Sequence, residues 1–356
     1  MSLETEGALT PVPLRIGVVA PPWYRIPPSA YGGTEAVVAA LVDQLVARGH
    51  HVTLVASGPP GTAAQRYVRV FAEPPSDLLG ISIAPELIQA LESRRALPDE
   101  DVDLVHDHSA AGPLLAGAST RPTVVTVHGT VDGINGDLLR RLGGSVHLVA
   151  ISDAQRRLAP DLNWVGTVHN AVDVASFPLR RDKSDDVVWL GRFSPDKGAH
   201  VAIEVAARAG RRLILAGKLN DAAERSYFSE EIRPSLGPRV RYVGEVDAAQ
   251  KRELLAGASC LLFPIQWDEP FGMVMAEALA CGTPVVSTPR GSVPEVVRHG
   301  ETGFVCGSVD ELVAAVMAVD SIDPDACRAD AEARFDLPVM GAGYERVYRQ
   351  LLDLLA

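Results

Sequence analysis

Short apolar runs alternate with amphipathic stretches along the first half of the chain. The runs that predict β-strands are residues 14–20, 51–56, 103–106, 123–127 and 147–151. Between the first two runs, apolar residues from Val37 to Val46 recur at helical spacing, and Gly49 predicts the end of that helix. This alternation predicts a parallel sheet with helices on both faces.

The same alternation begins again in the second half. Its predicted strands are residues 187–190, 212–216, 240–243, 259–263 and 284–287. Residues 160–186 are irregular and charged and predict a hinge, whereas residues 339–355 predict a final amphipathic helix. We therefore expect an α/β protein with two Rossmann-like, doubly wound parallel-sheet domains that face each other across a cleft. The expected domains are residues 1–165, completed by a C-terminal helix at 339–356, and residues 166–338.

The strongest candidate motif follows a predicted strand, at the edge where open parallel sheets bind their ligands. It reads Glu269-Pro270-Phe271-Gly272-Met273-Val274-Met275-Ala276-Glu277. Gly272 lets the backbone approach a ligand, and the amides of Gly272, Met273 and Val274 would open a helix without helical partners. The carboxylate of Glu277 suits paired ribose hydroxyls, and the alternative is that it only complements the helix dipole.

Two more loops after strands are suited to phosphate. Arg192 and Lys197 lie in one loop after residues 187–190, where both can reach a diphosphate and stabilise it as it departs. The alternative is a solvated basic loop. The segment from Tyr31 to Glu35 follows the first strand, and its paired Gly32 and Gly33 permit close approach to a phosphate. It is not a G-x-G-x-x-G fingerprint, which counts against a dinucleotide-dependent dehydrogenase.

Histidines lie at the ends of two predicted strands. His128 ends one of them, where it can hydrogen-bond a sugar or move a proton; the alternative is a structural histidine. His106 and His108 flank Asp107 and resemble metal ligands. No third ligand is evident, so we expect no metal there.

Composition and charge narrow the function. The chain has 356 residues, which fits two domains, and its net charge of −12 argues against a nucleic-acid partner. Its four cysteines form no C-x-x-C pair, which favours reduced thiols over a zinc site. The acidic N-terminus lacks a basic region before its first apolar run, so we expect no signal peptide and a cytoplasmic location.

Together these motifs resemble family 4 of the glycosyltransferases, which has the GT-B fold. The residues that carry the resemblance are Glu269 and Glu277 with the following 278–286 segment, the loop at 191–198, Gly32-Gly33, residues 106–109, His128-Gly129, Ile151-Ser152 and the segment from Asn170 to Phe177. The resemblance implies a nucleotide-diphosphate sugar as donor, a small-molecule or glycan acceptor, no metal cofactor, and retention of configuration.

The resemblance also implies roles for individual residues. Arg192 and Lys197 would bind the diphosphate, Glu277 the ribose, and Glu269 and His128 would lie beside the transferred sugar as the catalytic pair. We also assign Phe271 and Val246 to the donor site. Lys218 adds a cation there, because Ala216-Gly217-Lys218 departs from the family's common G-x-G pattern. The linker departs too, with Asn170-Ala171 in place of Asn-Gly.

Several alternatives stay open at this point. The residue bias is typical of a GC-rich genome, and the hypothesis for the role is specialised metabolism, such as oligosaccharide antibiotic pathways of the avilamycin type. A sugar-nucleotide epimerase, a phosphorylase and a non-enzymatic sugar-nucleotide sensor are the rival functions. Arginine pairs at 94–95, 140–141 and 156–157 could touch an anionic membrane, although solvated pairs are the favoured interpretation.

Overall fold

The computed structural model describes residues 12–28 and 32–355. The acidic N-terminal run up to residue 11, Tyr31 of the glycine motif and Ala356 lie outside the described residues. The described chain forms two parallel sheets of seven and six strands with helices around them, which confirms the predicted fold class.

The first sheet has the strand order β3-β2-β1-β4-β5-β6-β7. Its strands are β1 (Arg15–Val19), β2 (His51–Ala56), β3 (Arg66–Arg69), β4 (Leu104–Asp107), β5 (Thr123–Val127), β6 (His147–Ala150) and β7 (Trp164–Thr167). The helices of this half are α1 (Gly33–Ala47), α2 (Ala84–Ala96), α3 (Gly133–Leu142) and α4 (Asp153–Leu158). Buried aliphatic residues of β1, β2 and α1 form the core of this half.

The second sheet has the strand order β10-β9-β8-β11-β12-β13. Its strands are β8 (Asp186–Leu190), β9 (Arg212–Ala216), β10 (Val240–Tyr242), β11 (Cys260–Phe263), β12 (Val285–Ser287) and β13 (Gly303–Val305). Its helices are α5 (Ala199–Arg208), α6 (Ala222–Tyr227), α7 (Ala248–Gly257), α8 (Met273–Ala280), α9 (Val293–Val296), α10 (Val309–Ala318) and α11 (Pro324–Phe335).

The prediction of irregular chain over the whole of residues 160–186 is wrong. Trp164–Thr167 forms β7 and pairs in parallel with β6, so the first sheet extends into the expected hinge. All four of its residues are partly exposed, because β7 is an edge strand. The expected domain boundary at 165–166 falls inside this strand.

Two chain segments cross between the halves side by side. Val172 donates its backbone N–H to Phe335 O at 2.9 Å, and it bridges Asp336 in parallel. The last helix, α12 (Leu337–Leu355), then returns to the first sheet. There Tyr348 packs in the core of the first half. The C-terminal helix therefore ties the two halves together.

The topology of the two sheets places the candidate loops at the carboxyl ends of the strands. In both sheets the strand order reverses between the first and fourth strands of the half, β1 and β4 in one and β8 and β11 in the other. Such a reversal leaves a crevice at the carboxyl ends of the strands, and ligands bind there. Residues that follow β1, β4, β8 and β11 therefore border the crevices. No helix within the described residues is long and apolar enough to cross a membrane.

Candidate active site between the two sheets

The loop from β11 to α8 places Glu269 in a charged cluster. Glu269 Oε2 accepts hydrogen bonds from Lys197 Nζ at 2.5 Å and from Trp267 Nε1 at 3.1 Å. The ammonium of Lys197 also lies 4.6 Å from the centroid of the Trp267 ring. The side chains of Lys197 and Glu269 are only 13% and 11% exposed, so this ion pair is well shielded from solvent. Sequence reasoning missed Trp267, although it lies two residues before Glu269.

A turn at Gly291 fixes the backbone of this loop. Ser292 donates its N–H to Glu269 O at 2.9 Å and its hydroxyl to Phe271 O at 2.8 Å. Gly291 has φ +53°, and a Cβ there would lie 2.3 Å from the Glu269 backbone nitrogen. A larger residue would therefore displace the loop that carries Glu269. The sequence pattern did not single out this turn.

Helix α8 begins directly beyond this loop. Gly272 has φ +74°, a left-handed conformation that suits glycine, and Met273 is the first helical residue. The amides of Met273 and Val274 therefore lie in the first turn, as the sequence predicts. The side chain of Phe271 is buried and packs against the rings of His169 and Phe335.

Glu277 lies deeper in α8 and has a lysine partner. Its Oε1 accepts a hydrogen bond from Lys251 Nζ at 2.5 Å, and its side chain is 11% exposed. Lys251 is on α7, far from α8 in sequence, and no motif marked it. This carboxylate therefore does more than complement the dipole of its own helix, because it holds a cation from the neighbouring helix.

The other predicted cations form a second polar group after β8 and β9. Arg192 Nη1 lies 3.8 Å from Glu224 Oε1, and Glu224 is buried. The pKa of Lys218 is lowered, mainly by burial. The nearby Arg192 also lowers it, whereas Glu245 and Glu224 raise it. Val246 is next to Glu245 in the loop between β10 and α7 and is half-buried.

Three histidines form an array at the ends of β4 and β5, in which His106 and His108 are buried and His128 is half-buried. His128 Nε2 and His108 Nδ1 share a hydrogen bond of 2.9 Å, and the His106 and His108 rings lie 4.1 Å apart. Burial lowers the pKa of His128 to about 4 and that of His106 to about 3, and it also lowers that of His108. All three rings are therefore neutral at pH 7.

The array is tied to the C-terminal helix. His106 Nδ1 shares a 2.6 Å hydrogen bond with the Tyr348 hydroxyl, and its Nε2 shares one of 2.7 Å with Thr126 Oγ1. Both nitrogens of His106 are therefore engaged by protein groups. Over residues 12–28 and 32–355, no group of three His, Cys, Asp or Glu side chains is placed to hold a metal ion. Metal independence itself stays a prediction.

A cavity of about 490 Å³ opens between the two halves. It brings together the predicted residues Gly33, His128, Glu269, Phe271, Gly272 and Met273. Gly32 lies beside it as the residue before α1. The predicted residues that do not line this cavity are Arg192, Lys197, Lys218, Val246, Val274 and Glu277. Of these, Lys197 contacts the cavity residue Glu269 directly.

Models of known protein families match both halves of the chain. Residues 175–334 match the model described as glycosyl transferases group 1, and residues 31–176 match the model described as glycosyltransferase family 4. The chain is a glycosyltransferase whose first half matches family 4 and whose second half matches group 1. The two matches meet at the linker between the sheets.

Known proteins resemble this glycosyltransferase over nearly its whole length. The phosphatidyl-myo-inositol mannosyltransferase of Mycobacterium leprae is 27% identical over 94% of this chain and 96% of its own. The structure of AviGT4, a glycosyltransferase involved in avilamycin A biosynthesis, is 29% identical, with a TM-score of 0.73 over 96% of this chain and 98% of the other. The Anabaena protein HepE in complex with UDP-glucose shares the fold, at 20% identity and a TM-score of 0.71 over 96% and 100% of the two chains.

The cleft of the glycosyltransferase contains polar groups that the predicted site did not include. Glu86 is 3% exposed, and its carboxylate accepts from Trp23 Nε1 at 2.7 Å and from the Ala110 amide at 3.0 Å. His108 Nε2 and Asn170 Oδ1 are buried and have no hydrogen-bond partner among the described residues. All of these residues line the cleft. His108 and Asn170 were part of recognised motifs, whereas no pattern marked Glu86.

The histidine array predicts how stability depends on pH. In the unfolded chain these histidines take up protons near pH 6.5, but in the folded state they stay neutral to about pH 4 or below. The unfolded state therefore binds more protons as the pH falls from 6.5, so the free energy of unfolding should decrease. Asp107 acts in the opposite sense, because burial raises its pKa to about 7, but the three histidines outweigh it. Urea unfolding at pH 7.5, 6 and 5 measures the trend, and equal or greater stability at pH 5 would contradict it.

Proposed function

We propose that this protein is a retaining glycosyltransferase that transfers a sugar from a nucleotide-diphosphate sugar to an acceptor hydroxyl. The observation that carries the proposal is the cleft between the sheets, where His128 from one half faces the Glu269 loop and the start of α8 from the other. We assign the half with the first sheet to the acceptor and the half with the second sheet to the donor.

The donor site follows from the order of groups along the second half. The first-turn amides of α8 suit an anionic group, and Arg192 and Lys197 supply positive charge from the loop after β8. We place the ribose at Glu277, because this carboxylate is held on α8 beyond those amides. We place the transferred sugar between Glu269 and His128, because both line the cleft.

The reaction we propose is attack on the same face as the leaving group. The bond from the anomeric carbon to the diphosphate oxygen breaks while the bond to the acceptor oxygen forms. The acceptor proton passes to the departing diphosphate, so no enzyme nucleophile is needed. Lys197 and Arg192 stabilise the charge that develops on the diphosphate, and we propose that they make a metal ion unnecessary.

Two observations support a proposal for the pathway and the cellular compartment of this protein. AviGT4, which is involved in avilamycin A biosynthesis, is similar to this protein over 96% of this chain. We propose a comparable role in oligosaccharide antibiotic biosynthesis. The four cysteines are buried free thiols, which suits a reducing compartment, and we propose the cytoplasm. A sugar-nucleotide epimerase is the second candidate, and it would consume the donor without any acceptor.

Lys197→Ala and Arg192→Ala should both weaken binding of a nucleotide diphosphate. Losing a charged hydrogen bond costs roughly 1.5–3 kcal/mol, or about tenfold or more in Kd. Lys197→Ala should cost more, because it also leaves the shielded Glu269 carboxylate without its cation, whereas Arg192 is 46% exposed. Calorimetry with UDP and GDP measures the effect.

Arg208→Ala is a matched control, since Arg208 pairs with Glu204 and Asp310 at the far end of α5 from the loop. Its affinity should equal that of the wild type. Unchanged nucleotide affinity in both Arg192→Ala and Lys197→Ala would overturn the diphosphate assignment. If wild-type protein bound no nucleotide diphosphate at all, the proposed function would fail.

A further inference from the structure

Helix α2 buries its polar face and exposes its apolar face. Its buried positions include Glu86, Gln89 and Ser93, while Leu87, Ile88 and Leu91 are 45%, 43% and 52% exposed. Helices on globular proteins normally bury the apolar stripe and expose the polar one. The exposed apolar face of α2 therefore indicates a surface that binds another molecule.

The buried polar face fixes the orientation of α2. Glu86 accepts hydrogen bonds from the Trp23 indole and the Ala110 amide. Gln89 Nε2 donates to the backbone oxygens of Ala20 at 2.9 Å and Val55 at 3.2 Å. These bonds tie α2 to β2 and to the segments that follow β1 and β4. Rotating the helix to bury Leu87 and Leu91 would break these hydrogen bonds. The fold therefore holds the apolar face of α2 towards solvent.

The exposed apolar residues extend from α2 towards the cleft. We call them the α2 apolar surface: Leu78, Leu79, Ile81, Ile83, Leu87, Ile88 and Leu91, each between 38% and 78% exposed. Residues 78–91 contain a single charged side chain, that of Glu86, which is buried. Leu79 and Glu86 both line the cleft. The apolar surface is therefore continuous with the wall of the reaction site.

We propose that the α2 apolar surface binds the hydrocarbon part of an amphiphilic acceptor, whose hydroxyl enters the cleft beside Leu79 and Glu86. This inference rests on the proposed function and adds the chemical class of the acceptor. Continuity with the cleft favours a substrate over an unrelated partner. An anionic bilayer is disfavoured by the net charge of −12 and by the acidic Asp77 at one end of the surface. At the other end, Arg94 and Arg95 are paired with the carboxylates of Asp99 and Glu92.

The test uses n-hexyl, n-octyl and n-decyl β-D-glucopyranosides below their micelle concentrations. Calorimetry on the full-length protein saturated with a nucleotide diphosphate gives Kd for each. Burying one methylene tightens binding about threefold to fourfold, and a surface that covers only one side of the chain gives less. We expect Kd to fall at least about fourfold for each pair of added methylenes.

Three variants locate the effect. Ile83→Ser with Ile88→Gln should abolish the dependence on chain length. Ile83→Leu with Ile88→Leu should keep it, because the surface stays apolar. Met317→Gln with Leu354→Gln removes exposed apolar side chains outside the α2 apolar surface, at 63% and 84% exposure, and should also keep it. Nucleotide-diphosphate affinity should be unchanged in all three and reports that each variant is folded.

Four results would overturn the proposal. The first is wild-type affinity that does not depend on chain length, and the second is a dependence that survives Ile83→Ser with Ile88→Gln. The third is self-association in sedimentation velocity that this variant abolishes, which would assign the surface to a second copy. The fourth is binding to phosphatidylcholine vesicles that the variant abolishes, without any chain-length effect on the soluble glucosides. In each case intact nucleotide binding would leave the proposed function standing.

Discussion

Glu269→Gln should lose most of the turnover of a complete sugar nucleotide while its affinity for the free nucleotide diphosphate stays nearly unchanged. Glu277→Gln should weaken that affinity by about tenfold or more, the scale of a charged hydrogen bond. The reason is position: Glu269 lines the cleft, whereas Glu277 is held on α8 against Lys251. Glutamine keeps the size of each side chain and removes its charge.

The measurement pairs calorimetry on the nucleotide diphosphate with an assay of transfer for each variant. Glu253→Gln is the control, because this carboxylate pairs with Arg180 on the surface and should change neither quantity. The division of roles would be wrong if Glu269→Gln weakened the sugar-free nucleotide as much as Glu277→Gln did. If neither substitution changed binding or turnover, both carboxylates would be structural.

His128→Ala should lower kcat about a hundredfold or more and leave nucleotide affinity within about twofold. Proton transfer and hydrogen bonding that act mainly in the transition state contribute on this scale. His128 lines the cleft, and its hydrogen bond to His108 orients the ring. Because burial lowers its pKa to about 4, protonation of His128 should not reduce kcat/KM between pH 8 and pH 5.

Steady-state kinetics across that pH range, together with calorimetry, tests the role of His128. His51→Ala is the control, since His51 is exposed at the start of β2. Equal losses in nucleotide affinity and turnover would place His128 in the nucleotide site instead. A fall in kcat/KM near pH 6.5 that disappears in His128→Ala would contradict the neutral histidine array.

The central strands could be predicted from the sequence because burial on both faces produces continuous apolar runs. His51–Ala56, Thr123–Val127 and Arg212–Ala216 have the same bounds in the structure as in the prediction. The missed strands are β3, β7 and β13, and all three lie at sheet edges. An edge strand such as Arg66–Arg69 is partly exposed and has no apolar run to detect.

Candidate site residues could be predicted where a charged or polar side chain lies in the loop that follows a strand. That rule found His128, Lys197 and Glu269, which the fold brings to one region between the sheets. It could not find Lys251, which reaches Glu277 from another helix, because that contact depends on how α7 packs beside α8. It also missed Glu86, which faces the cleft only because α2 buries its polar side.

The configuration of the first sugar released or transferred tests the central claim most directly. Proton NMR would follow an α-linked gluco-configured nucleotide sugar with the enzyme, excess EDTA, and either water or n-hexyl glucoside as acceptor. Same-face attack without a metal predicts turnover in EDTA and an early product with the α-anomeric proton signal. A β-configured early product, or turnover that requires added magnesium or manganese, would contradict the account.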